Sequence, residues 1–435
     1  MRSLFFFKES IFLSGAATIT QVFWFIFKII TMRQVTNYDY SIFIFGVSSV
    51  LAFQLFGHFH LFKSMSILIS KYPTESSEGR QNALESKEYR EIIKSHLTLG
   101  LILTFVSGIT LSVFLYLDTQ NSFISLVYAA DLLLQNLILY FYFLFLGLKK
   151  TVIGGLTLLA TNLFRLILLI GFSLHRTISL EGVILFYTMG SFFAFLMSFI
   201  LAKLIFNSKF FPIGRDLKEI LENFSIIKNG IFLALISIIV QIFSTIMYFF
   251  IKLFDYASSK EADISLMFCS AFLIFFISSG VLISVKPHLL VEKRKFTKEI
   301  LFPLALLSSV FTILVGILLF LNLQIYEDIS GIIFNIHYKS LQPYLLISLI
   351  SIPFHSIYVV CLGFSTGNGL LKRQFSCNLS SFIIVLPFLI LLSFSYGAKG
   401  VILSYSLFSL FLAFFSIIII FTFEAEKSDS ILFWS

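Results

Sequence analysis

Apolar stretches, each about as long as a bilayer-crossing helix, fill almost all of this chain, and no other feature constrains its fold so tightly. A helix crossing ~30 Å of hydrocarbon needs about 20 residues. Twelve stretches meet that need, at 10–32, 41–70, 92–117, 122–146, 151–171, 182–206, 226–251, 263–285, 300–321, 340–364, 374–394 and 398–423. Few show the polar face that a soluble helix turns to water. Composition closes off a large water-soluble core: 58% of the 435 residues are hydrophobic and 12% charged. No soluble interior absorbs that much apolar side chain. The fold class is therefore read as all-α integral membrane, with twelve transmembrane helices. Met1-Arg2-Ser3-Leu4 leads into the first stretch without a small-residue cleavage pattern, so a retained first helix is expected.

The net charge of +8 could suggest nucleic acid, but its placement argues for a membrane and no nucleic acid. With the N-terminus inside, 22 of the 31 Lys and Arg fall on inner segments, among them Arg80, Lys87, Arg90, Arg215, Lys218, Lys293, Arg294 and Lys295. Six fall outside: Arg33, Arg176, Lys252, Lys260, Lys339 and Lys399. This excess is the positive-inside pattern. It requires an even number of crossings and both termini in the cytoplasm. The outer segments 252–262 and 322–339 read as loops, and Tyr396-Gly397-Ala398-Lys399-Gly400 reads as a tight hairpin. No stretch reads as a soluble catalytic domain, so an enzyme is not expected. Cys269, Cys361 and Cys377 lack metal spacing and read as packing residues. Neither a metal nor a cofactor is implied.

The chain also repeats itself. Ser66-Ile67-Leu68-Ile69-Ser70-Lys71-Tyr72-Pro73 resembles Gly280-Val281-Leu282-Ile283-Ser284-Val285-Lys286-Pro287, and Tyr89-Arg90-Glu91-Ile92 echoes Thr297-Lys298-Glu299-Ile300. Both pairs are separated by about half the chain. They divide it into residues 1–214 and 215–435, two six-helix bundles with the same orientation, which is a parallel repeat. Two like bundles can rock about a midline, so transport is the expected activity.

Charged and polar side chains inside the apolar stretches mark the candidate site. Arg165, facing lipid, would cost at least ~2.5–3.5 kcal/mol, so it should face a cavity or a partner. Asn162 shares its face. Lys28 and Gln21 are seven residues apart and read as a polar stripe. Lys63 follows a cluster of Gln54, His58 and His60, whose spacing does not suit a metal. Asp131 is the expected acidic partner for Arg165 or Lys28, or a proton- or sodium-coupling group. Pro343, Pro353 and Pro387 are expected to disturb their helices. A cavity with three basic groups and one acid would draw an anion, and its apolar walls a lipid tail.

The segment Arg33-Gln34-Val35-Thr36-Asn37-Tyr38-Asp39-Tyr40-Ser41, the exit Ile67-Leu68-Ile69-Ser70-Lys71 and the twelve-span layout resemble the multidrug/oligosaccharidyl-lipid/polysaccharide exporter superfamily, and within it the Wzx-type O-antigen flippases. The resemblance implies a V-shaped exporter fold in a bacterial inner membrane. It implies alternating-access flipping of an undecaprenyl-diphosphate-linked oligosaccharide for surface polysaccharide assembly. By charge and position, Arg165, Lys28 and Lys63 would then hold the diphosphate. The alternatives are a cation-coupled multidrug antiporter of the same fold and a membrane polysaccharide polymerase.

Overall fold

The computed structural model describes residues 2–59, 61–71, 87–148, 150–173, 178–206, 224–268, 302–321, 324–367 and 370–432. Among them all regular structure is helical. In chain order the helices are α1 (Arg2–Gln34), α2 (Asn37–His58), α3 (Leu61–Lys71), α4 (Lys87–Thr119), α5 (Ser122–Gly147), α6 (Thr151–Ser173), α7 (Leu180–Phe206) and α8 (Phe224–Phe254). A 3-10 turn, Tyr256–Ser258, leads into α9, described over residues 259–268. Then come α10 (Phe302–Phe320), α11 (Gln324–Phe334), α12 (Tyr338–Leu349), α13 (Ser351–Gly367), α14 (Leu371–Tyr396) and α15 (Ala398–Leu432).

Nine described stretches are long and apolar enough to cross a bilayer: α2, α4 from Ile93, α5, α6, α7, α8 from Ala234, Tyr338–Ser365 (α12 and α13), α14, and α15 to Thr422. A tenth exists if α10 and α11, which meet at 95°, form one bent span. The twelve expected crossings are therefore not reached among the described residues. The expected stretch 300–321 qualifies only together with α11, and most of 263–285 lies outside the described residues. So do His60, Cys269, the second copy of the repeat at 280–287, the basic segments 74–86 and 207–223, and the loop 286–299. The 33-residue α1 is not among the nine.

Two compact units divide the chain, one of Met1–Val35 and Ile42–Gln241, the other of Thr36–Ser41 and Ile242–Ser435. In the first, α6 packs on α1 and α7, and α5 packs on α4 and α7. In the second, α15 packs on α12, α13 and α14. Lipid tails are as apolar as leucine, so burying apolar area between helices gains little from the hydrophobic effect. Close van der Waals packing through small residues does more. Buried serines supply it: Ser198, Ser356 and Ser404 each donate to the carbonyl four residues back, at 2.7, 2.7 and 2.8 Å. Their hydroxyls are thus satisfied within the helix. Outward, α4 carries an exposed stripe of Phe105, Ile109, Val113 and Leu117 at four-residue spacing.

Several boundaries depart from expectation. The stretch 41–70 is two helices, because Phe59 takes a left-handed φ of +41° and closes α2 with its N–H on the Leu55 carbonyl. The freed Gly57 carbonyl accepts from Thr104 Oγ1 at 3.1 Å, and Thr104 Oγ1 in turn accepts from Asn136 Nδ2 at 2.9 Å. The outer segment 322–339 is not simply a loop. It contains α11, whose exposed Ile325, Ile329 and Ile332 lie along one face. At 11 residues it is too short to cross by itself. The proline region of the tenth stretch does break: α12 ends at Leu349 and Pro353 sits in the first turn of α13, where its missing N–H is tolerated. Pro387, by contrast, lies inside an unbroken α14. Neighbouring helices and local adjustment absorb such a residue in membrane helices. The 396–400 hairpin is present. Gly397 turns the chain at φ +55°, and Asp255 Oδ2 accepts from Ala398 N at 3.0 Å, capping α15.

Candidate functional site

The site in the first unit is built on α5, whose start is fixed locally. Asn121 is its N-cap, and its side-chain oxygen accepts from the N–H groups of Phe123 and Ile124 at 3.0 and 3.2 Å. Two turns further in stands Asp131, 0% exposed. Its Oδ1 accepts from Ser191 Oγ of α7 at 2.6 Å and from Arg165 Nη2 of α6 at 3.3 Å, and its Oδ2 accepts from Gln135 Nε2 at 2.5 Å.

Arg165 is engaged on all three nitrogens. Nε donates to the Tyr187 carbonyl at 3.1 Å, Nη1 to Asn162 Oδ1 at 3.1 Å, and Nη2 to Ser191 Oγ at 2.7 Å as well as to Asp131. Its guanidinium carbon also lies 3.6 Å from the centre of the Tyr187 ring. Asn162 passes the network on to α1 by donating to the Thr20 carbonyl at 3.1 Å. One buried ion pair thus ties four helices together, with the hydrogen-bond partners that a charge needs in low dielectric. The chain makes room for it: a Cβ on Gly190 would lie 2.6 Å from the Arg165 nitrogen.

Lys28 is also buried. Its ammonium lies 5.2 Å from the Trp24 ring centre, Trp24 lies 5.7 Å from Tyr187, and Tyr187 carries Arg165 on its face. Two cations therefore flank a pair of aromatic rings, with Phe27 and Phe43 packed beside them. Each cation gains from a ring face. The expected stripe of Gln21 and Lys28 is not seen, because Gln21 is exposed while Lys28 is buried. The polar group that α1 gives to the network is the Thr20 carbonyl. His58 and half-buried Lys63 belong to a second locality around Phe62, whose ring lies 5.8 Å from His58 and 5.5 Å from Tyr140. Gly57 serves close packing. A Cβ there would lie 2.5 Å from Asn136 Nδ2.

Ser191, Tyr187 and Thr20 escaped the sequence reading because hydroxyls, rings and carbonyls carry no charge signal. A second buried carboxylate also escaped it. Asp263, at the edge of an expected span, is 0% exposed, and Asp131 is therefore not the only acid inside the apolar stretches. Equally unforeseen is a neutral network in the second unit, where Gln374 Nε2 donates to Asn378 Oδ1 and Ser416 Oγ, and Asn378 Nδ2 donates to Tyr358. No group of three or more metal-ligating side chains is present among the described residues.

No protein-family model and no curated protein sequence matches the chain. Solved structures do match in fold. The lipid II flippase MurJ, in an inward closed conformation, aligns with TM-score 0.72 at 14% identity, covering 94% of this chain and 87% of its own. The fold is that of the MATE and MurJ transporters. A multidrug resistance MATE family transporter of the MOP superfamily, in its inward-facing conformation, aligns with TM-score 0.65 at 11% identity, covering 94% of this chain and 96% of its own. The eukaryotic MATE transporter AtDTX14 aligns with TM-score 0.59 at 15% identity, covering 95% of each chain. These neighbours are transporters and not enzymes. They do not single out a Wzx-type flippase.

Proposed function

We propose that this protein is a membrane transporter that moves an amphiphilic organic solute by alternating access, with both termini in the cytoplasm. The observation that carries the proposal is the likeness in fold to transporters over 94% or more of the chain. The orientation rests on the excess of Lys and Arg on alternate segments.

The breadth of the likeness to MATE transporters supports cation-coupled export of organic solutes as the first reading of the substrate. Flipping of an undecaprenyl-diphosphate-linked oligosaccharide is the second, favoured by the TM-score of 0.72 to the lipid II flippase. Lys28, Lys63 and Gln21 are the groups proposed to meet solute. Arg165, Asp131 and Asn162 are proposed to hold α1, α5, α6 and α7 in register, since Arg165 already donates from every nitrogen.

Reconstituted into vesicles, the protein is expected to drive uptake or release of a fluorescent organic cation when a proton or sodium gradient is imposed. An ionophore should abolish the flux. Lack of gradient-dependent flux for a panel of organic cations, together with gradient-dependent protection of a fluorescent polyprenyl-diphosphate sugar from added quencher, would overturn the first reading in favour of the second.

A further inference from the structure

The buried carboxylate of the second unit is set up differently from Asp131. Asp263 of α9 is 0% exposed. Its Oδ2 accepts from the Tyr40 hydroxyl at 2.5 Å, and its Oδ1 accepts from the Tyr248 hydroxyl of α8 at 2.6 Å. Tyr40 stands in the first turn of α2, within Thr36–Ser41, the short segment that clusters with the second unit although the chain on either side of it clusters with the first. Other contacts also dock that segment. Asn37 Nδ2 donates to the Ala257 carbonyl at 2.6 Å, Ser259 Oγ donates to the Asn37 carbonyl at 3.0 Å, and the rings of Tyr38 and Tyr256 meet edge to face at 5.6 Å. The Tyr40 bond differs from these in ending on a carboxylate.

We propose that Asp263 is an ion-responsive group of this transporter, and that proton binding there releases Tyr40 and undocks the segment 36–41. The proposal deepens the transport reading by naming a group that answers the ion. The chemistry lies in the donor count. An ionised carboxylate only accepts, and both of its oxygens are taken up by phenolic donors. A proton arriving on Oδ2 removes the charge and turns one of that oxygen's lone pairs from acceptor to donor. The bond from Tyr40 then loses its charge assistance, and with it about half of its strength. The one bond formed is the carboxyl O–H, its proton supplied by the solvent, and the one interaction weakened is the hydrogen bond from Tyr40.

The titratable surroundings are mixed. Tyr40 faces Asp263 from α2 and Tyr248 from α8, with Tyr405 of α15 beyond Tyr248. On α9 itself stand Lys260 and Glu261, within the electrostatic reach of Asp39 and Asp255 respectively. Burial raises the Glu261 carboxyl and lowers the Lys260 ammonium.

The test measures thiol labelling of Ser41→Cys, a buried position in the segment, in detergent-purified full-length protein freed of its three native cysteines. Labelling rates at pH 5 to 8.5 are divided by those of Lys339→Cys, an exposed control. The normalised rate is expected to rise on the order of tenfold from the alkaline to the acid end, the direction in which proton binding to the undocked state drives the equilibrium. Adding Asp263→Asn should leave the rate high and independent of pH. Adding Tyr40→Phe, which keeps the ring and removes the donor, should do the same if Asp263→Asn does not fold. A flat profile in the parent, or a pH response that survives Asp263→Asn or Tyr40→Phe, would overturn the proposal. The measurement needs no substrate, so its failure is separate from failure of the transport reading.

Discussion

At the scale of single residues, the energetic centre of the first unit is the pairing of Arg165 with Asp131. Removing either partner leaves the other charge buried, at a cost of about 3–5 kcal/mol. Single interhelical hydrogen bonds in membranes are worth only about 0.6–2 kcal/mol, so the charge decides the outcome. Arg165→Ala and Asp131→Ala are each expected to lower the thermal midpoint of the purified protein clearly. The double substitution should lose less than the sum, with a coupling of about 0.5–3 kcal/mol. Strictly additive losses would remove the pair as a stabilising unit. Unchanged stability with lost transport would return Arg165 to the solute. Arg165, Asn162 and Asp131 were all legible as candidates, because charge in an apolar stretch is conspicuous. Their mutual engagement was not, since it depends on Ser191 and Tyr187 arriving from α7.

At the scale of elements, close approach is set by glycine. A Cβ on Gly190 would lie 2.6 Å from the backbone nitrogen of Arg165, a contact that real Cβ atoms do not make, whereas a Cβ on Gly171 of α6 would meet nothing within 4 Å. Gly190→Ala is therefore expected to separate α6 from α7 and destabilise by about 1–3 kcal/mol. Gly171→Ala should be neutral or should stabilise by up to about 1 kcal/mol through helix propensity. Thermal midpoints of the two variants, measured side by side, check this. Equal effects would show that Gly190 is not a packing constraint. Hairpin and cap signals were readable from neighbours in sequence, as at Gly397 and Asn121. The break after His58 was not, because the carbonyl it frees is satisfied by Thr104, more than forty residues away.

At the scale of the whole molecule, reporter fusions test the orientation. Fusions at either terminus are expected to report the cytoplasm, and one inserted after Gln120, between α4 and α5, should report the outside. Termini on opposite faces would break the even count of crossings. Among described residues, crossing helices number nine or ten, and the division into two units falls inside α8, at Gln241, not in a loop. A contiguous helix shared by two units has no signature in composition or charge.

The sequence by itself determined the solvent, the helical class and the candidate charges, because the cost of polar groups in hydrocarbon acts residue by residue along the chain. Tertiary structure alone decided what those charges do. It closed Arg165 on Asp131, set Lys28 against Trp24 and brought Tyr40 to Asp263 across 223 positions. Such pairings arise from helix rotation and depth, which twofold-degenerate apolar faces leave unmarked. In a bilayer, an apolar side chain gains nearly as much from lipid as from a neighbouring helix, so hydrophobicity fixes that a segment crosses and leaves its partners to packing and hydrogen bonds.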